Sequence, residues 1–315
     1  MINWRQKIRR LGRRAQLAVF GPLLPRTPCF ADLFPPRVRL ERVARGFRFT
    51  EGPVWFPLQD CLLFSDIPAS CIHRLTVDGG VYVFREPSGH ANGLTRDAAG
   101  RLIACEQGNR RVTRTEADGT LKVLADSYGG QRLNSPNDVV VGVNGAIYFT
   151  DPPYGIRPEQ QELALQGVYR IDPERGDVSL VADDFDRPNG LAFSPDGRQL
   201  YVDDSSARRH IRVFDVSEDG SLKNGRLFHD MRVPQRGAPD GMKVDAQGNV
   251  YCTGAGGVWV FDPGGQHLGT ILMPEKPSNC AWGDRDCKSL YITAPAAVYR
   301  IRVSIPGNGV ALQAP

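Results

Sequence analysis

From residue 51 to about residue 303 the chain repeats one pattern: a polar residue, alternating apolar positions, a tight turn and a further apolar run. The six openings are Glu51-Gly52, Asn92-Gly93, Asn137-Asp138, Asn189-Gly190, Asp240-Gly241 and Asn279-Cys280, at successive spacings of 41, 45, 52, 51 and 39 residues. Gly100, Gly145, Gly197 and Gly248 each fall eight residues after an opening. Asn144-Gly145 and Asp196-Gly197 are dipeptides that tight hairpins favour. Strands are expected after these turns at Leu62–Ser65, Leu102–Ala104, Ile147–Thr150, Leu200–Val202, Val250–Thr253 and Leu290–Thr293. A third strand follows at Gly167–Ile171, Ile211–Phe214, Val258–Phe261 and Val298–Ile301. The period matches the ~40–50 residues of a four-stranded propeller blade. One twisted blade cannot bury both faces alone, whereas radial stacking buries them and leaves only short edges. The pattern therefore predicts an all-β six-bladed β-propeller over residues 37–315, preceded by a short helical arm, residues 1–36.

Equivalent positions of a propeller lie on a ring around one axis. The opening residues (Glu51, Asn92, Asn137, Asn189, Asp240 and Asn279) should therefore approach the mouth of the central channel. Carboxylates and amide oxygens converging there form a hard-oxygen site, suited to Ca²⁺, Mg²⁺ or Mn²⁺ and lacking the His and Cys ligands of structural zinc. Asn-Gly and Asp-Gly also make ordinary turns. Each repeat, however, has a separate hairpin turn further on, and Glu51 is not a turn residue.

Charge and cysteine content narrow the function. Residues 1–14 hold six basic residues and no acid, leaving 33 of the 39 basic residues against 35 acidic ones in the rest of the chain. A nearly neutral body offers no basic surface for nucleic acid. Trp4, Ile8, Leu11 and Ala15 fall at helical spacing, so the arm reads as a docked helix, a membrane-surface helix or a targeting segment. No run reaches the ~18–20 apolar residues of a transmembrane helix. The seven cysteines are dispersed and form no C-x-x-C pair. That suits a reducing compartment, and a cytoplasmic location is the expectation.

The segments EGPVW (Glu51–Trp55), NSPND (Asn134–Asp138), TDPPYG (Thr150–Gly155), PNGLAFS (Pro188–Ser194) and PDGMKVD (Pro239–Asp245) resemble, in order, the SMP-30/gluconolactonase family. The resemblance implies a six-bladed propeller with a catalytic divalent metal and lactonase activity. It further implies Glu51, Asn189 and Asp240 as metal ligands, with Asn137 as an additional amide near metal and substrate. Family members with an Arg-x-Asn-Asp arrangement carry an arginine where this chain has Ser135, and Asn134 is the candidate replacement in substrate contact. Ca²⁺ is the expected ion, with Zn²⁺, Mg²⁺ or Mn²⁺ as alternatives, and the expected partner is a small lactone. The ion would polarise the lactone carbonyl and Asp240 would act as general base. Asn92, His90 and Tyr154 are further substrate-contact candidates. Asp151, Asp203 and Asp204 could bind another ion, but paired acids of this kind read first as solvated surface groups. An aryl-esterase or phosphotriesterase-like hydrolase, a strictosidine-synthase-like enzyme and a non-catalytic binding propeller remain alternatives.

Overall fold

The computed structural model describes residues 17, 18 and 21–308. The basic residues of the arm, at positions 5–14, lie outside that range. The chain forms six four-stranded antiparallel sheets around a central channel. Blade 1 runs from Thr50–Phe56, its innermost strand, outward through Cys61–Asp66 and Cys71–Thr76 to Val81–Arg85. Blades 2 to 5 repeat this order over Ala91–Ala125, Val139–Ala182, Pro188–Asp230 and Met242–Leu272. The hairpin glycines that the spacing singled out adopt the left-handed backbone expected of them, with φ of 76° at Gly100, 82° at Gly145, 70° at Gly197 and 85° at Gly248.

Blade 6 is built from both ends of the chain. Its inner strands are Cys280–Gly283, Ser289–Ala294 and Ala297–Arg302, and its outer strand is Leu40–Arg45, paired antiparallel from Leu40 opposite Ile301 to Arg45 opposite Ala297. This closes the ring. Upstream, Leu23–Pro25 adds a fifth strand to the outer edge of blade 5, opposite Gly269–Ile271. The short 3₁₀ helix Pro28–Leu33 then seats Phe30 fully buried against blades 5 and 6, a burial that contributes ~1.5–3 kcal/mol.

Burial follows the radial order. Each second strand lies inside a sheet that is covered on both faces, so Cys61–Asp66 and Ser289–Ala294 are buried at every position. The outer strand Val81–Arg85 is largely exposed. The outer strand of blade 5, His267–Leu272, is wholly buried, because the N-terminal strand covers its edge. Between blades, aromatic side chains interlock: Trp55 stacks on Tyr291 at 5.7 Å and Tyr251 meets Trp282 edge-on at 5.0 Å. None of the seven cysteines is disulfide-bonded. Among the described residues no helix is long and apolar enough to cross a membrane.

Candidate functional site

The candidate residues stand where the inner strands begin. In blades 1, 2 and 4 the pairing slips between Glu51 and Val54, between Ala91 and Leu94, and between Pro188 and Leu191. Each slip is a bulge at or beside a candidate residue, a device that re-aims a side chain out of the regular pleat. Blade-to-blade hydrogen bonds then fix the ring. Ser65 Oγ donates to Asn92 O (2.8 Å), Thr150 Oγ to Asn189 O (2.8 Å) and Thr253 Oγ to Ser278 O (2.9 Å). Gly93 N donates to Asn137 O (2.7 Å) and Gly241 N to Ser278 O (2.8 Å).

These contacts correct the sixth repeat by one residue. Ser278, not Asn279, is the equivalent of Asn92, Asn137 and Asn189. Asn279 aligns with the following position, occupied elsewhere by Gly52, Gly93, Asp138, Gly190 and Gly241. Glycine prevails there because the next blade is too close: a Cβ would come within 2.0 Å of Asn92 O at Gly52 and 2.2 Å of Asp240 O at Gly190. Only Asp138 and Asn279 keep polar side chains at this level. Asn279 Nδ2 donates to Glu51 Oε2 at 3.0 Å and to Asp138 Oδ2 at 3.3 Å. The pair forms a polar floor beneath the ring.

Negative charge accumulates above and within that floor. Glu51 is 4% exposed, and its carboxyl is held well above the usual range by burial, then by the charges of Asp240 and Asp138. Asp240 is pushed up to about 6 by burial, against the opposing Lys276, whose Nζ lies 3.5 Å from Asp240 Oδ2. Burial also raises Asp138, opposed by Lys243. Buried anions gathered this closely call for a compensating cation. Among the described residues no group of three or more His, Cys, Asp or Glu side chains is placed to hold an ion. A cation at the ring would therefore depend on amide oxygens of Asn137 and Asn189 beside Glu51 and Asp240. That all-oxygen donor set fits a hard divalent ion.

A relay across blades 3 and 4 sets the Asn189 amide. Its Nδ2 donates to Ser205 Oγ at 2.9 Å, and Tyr154 OH, from the long loop after Thr150, donates to the same Ser205 Oγ at 3.1 Å. With Nδ2 engaged, Oδ1 is the atom of this amide that a cation would meet. Asn92 is 5% exposed, and its Nδ2 donates to Gln107 Oε1 at 3.4 Å. His90 lies in an exposed loop, its ring nitrogen 2.8 Å from Ile67 O. Asn134 is fully buried and spends its side-chain amide on Asp151 O and Leu165 O, so it braces the loop below the mouth. Asp151 is likewise no surface acid: it accepts the backbone N–H of Asn134 and of Ser135, each at 2.7 Å. Asp203 and Asp204 are also fully buried, which corrects the reading of all three as solvated. Their polar type suggested water, but they sit at the inner ends of second strands, where both faces of the sheet are covered. Ser205, Lys276 and Ser278 have no motif of their own; only the ring geometry brings them to the site.

A six-bladed propeller whose channel mouth is lined by carboxylates and amide oxygens defines the class of protein. The chain belongs within it to one family: residues 49–296 match the SMP-30/gluconolactonase/LRE-like region. It is 35% identical over 309 residues to a gluconolactonase of Zymomonas mobilis, covering 90% of this chain and 85% of that protein. It is 30% identical over 254 residues to a pentonolactonase of Haloferax volcanii, covering 78% of this chain and 81% of that one. A Xanthomonas campestris protein, described as a gluconolactonase important in glucose secondary metabolic pathways, superposes with a TM-score of 0.82 at 38% identity. That match covers 90% of this chain and 94% of the other.

Proposed function

We propose that this protein hydrolyses a sugar lactone with the help of one divalent cation, held by Glu51, Asn189, Asp240 and Asn137. The convergence of buried Glu51 and Asp138 with part-buried Asp240 at the channel mouth, in a chain of this family, carries the reading. When bound, the ion supplies Lewis-acid polarisation of the substrate carbonyl. Asp240 accepts a proton from the attacking water as oxygen bonds to the carbonyl carbon. The ring C–O bond then breaks, the proton passes to the departing alkoxide oxygen, and an open-chain hydroxy acid leaves. Asp240 suits this task because its carboxyl sits at about 6, between burial and Lys276, and 15% of its side chain stays exposed to the mouth. Lys276 orients that carboxylate. Glu51 supplies charge, and Tyr154 with Ser205 keeps the Asn189 oxygen turned inward.

The test is acid release from δ-gluconolactone and a small lactone panel, using metal-stripped protein with Ca²⁺, Zn²⁺, Mg²⁺ or Mn²⁺ restored in turn. Turnover that depends on added ion supports the reading and ranks the ions. Absence of turnover with every ion, while an ion demonstrably binds, refutes it and points to another ester or to ligand binding alone.

A further inference from the structure

Beneath the floor made by Asp138 and Asn279 the channel does not close. The far ends of the six inner strands line a second chamber of about 190 Å³, open at the opposite face of the propeller. Its chemistry is unlike that of the mouth. Trp55, Val141, Phe193 and Trp282 give it apolar walls, and among the described residues its charged linings are Lys243 and Arg96, with no acid. Two cations against aromatic walls form a surface that favours an anion carrying an apolar body.

The cation beside these walls is anchored in place: Lys243 Nζ donates to Met242 O at 2.9 Å, and the other protons of its ammonium group remain for an anion. The sugar acid formed at the mouth is too polar for these walls. We infer that this lower chamber is a separate binding site for a small aromatic or short aliphatic monocarboxylate, its carboxylate paired with Lys243 and its apolar body held between Trp55, Phe193 and Trp282.

Benzoate and its uncharged isostere benzamide are the probes, and quenching of tryptophan fluorescence is the readout, because Trp55 and Trp282 line the chamber. Benzoate is expected to bind about tenfold more tightly than benzamide, the preference a charge-assisted contact confers. Lys243→Met should reduce that ratio to near one, Lys243→Arg should retain it, and Val141→Phe, which narrows the chamber, should weaken both probes. Saturating gluconate should displace neither. Equal affinity for the two probes, an unchanged ratio in Lys243→Met, or displacement of benzoate by gluconate overturns the proposal. Val141→Phe and the gluconate competition keep it decidable should Lys243→Met fold poorly. None of these readouts requires lactone turnover, so the proposal stands or falls apart from the reaction at the mouth.

Discussion

Acid should weaken this fold through one buried histidine. His267 is 7% exposed, with its ring stacked on Trp259 at a centroid distance of 4.2 Å. Its Nε2 donates to Gly269 O at 2.9 Å, and its Nδ1 has no partner among the described residues. A second proton would have to enter on Nδ1, with nothing to receive it. Burial, then the Arg26 charge, accordingly lowers the pKa from 6.5 to about 3. The folded chain keeps the ring neutral while the unfolded chain takes up a proton below pH 6.5, so this contribution to stability is complete above that pH and declines as pH falls. Between pH 7 and pH 5 the loss is about 2 kcal/mol, from 1.36 kcal/mol for each pH unit below the unfolded value. The figure depends little on the folded pKa, since at pH 5 the native ring binds almost no proton. His267→Phe preserves the stack and cannot titrate. Urea unfolding of both proteins at pH 7 and pH 5 should show the wild type losing about 2 kcal/mol more than the variant. His229, whose ring lies 6.1 Å from that of His267, is the neighbouring group whose titration the comparison must follow, and groups remote from the pair cancel. Equal losses, or a His267 ring signal that titrates near its ordinary pH in a proton-resonance experiment, would refute the reasoning.

Asp240→Asn keeps an oxygen at the ring but removes the proton acceptor, and lactone turnover should fall by roughly 10²–10⁴-fold at saturating ion; undiminished turnover rejects Asp240 as the base. Glu51→Gln should lower ion affinity by about 10–100-fold, by loss of ligand charge. The same change relieves a buried carboxylate, so the ion-free variant should match or exceed the wild type in urea midpoint. Ion titration and ion-free urea unfolding check the pair. Gly190→Ala places a Cβ 2.2 Å from the Asp240 carbonyl oxygen, a backbone atom that cannot swing aside, and should cost ~1–3 kcal/mol in urea unfolding.

The propeller was legible because its turns are local: a glycine eight residues after an opening residue needs only its own neighbours to form a hairpin. The four ring positions proposed to hold the ion (Glu51, Asn137, Asn189 and Asp240) stand out in the sequence for the same reason, as each opens an inner strand beside a glycine or an acid. The sixth repeat slipped because Ser278-Asn279-Cys280 has no glycine to mark the frame, and Asn279 mimics the asparagines that begin other blades. Leu40–Arg45 could not be recognised as part of blade 6, since its partner lies more than 250 residues away in the chain and its sequence, LERVAR, is largely charged. Asp151, Asp203 and Asp204 show a further limit. Whether an acid meets water or backbone N–H groups depends on which strands cover it, and that is a property of the closed ring.

The shared makeup of blade 6 also sets when the site can exist during synthesis. Glu51 leaves the ribosome early, but the amide that holds its carboxylate belongs to Asn279, and Leu40–Arg45 has no edge to join until Ala297–Arg302 has emerged. Five blades can stack on the nascent chain as an open arc. The mouth becomes a single cage only after almost the whole polypeptide has been translated, so a chain truncated within its last blade would keep most of its sheets and have no intact site.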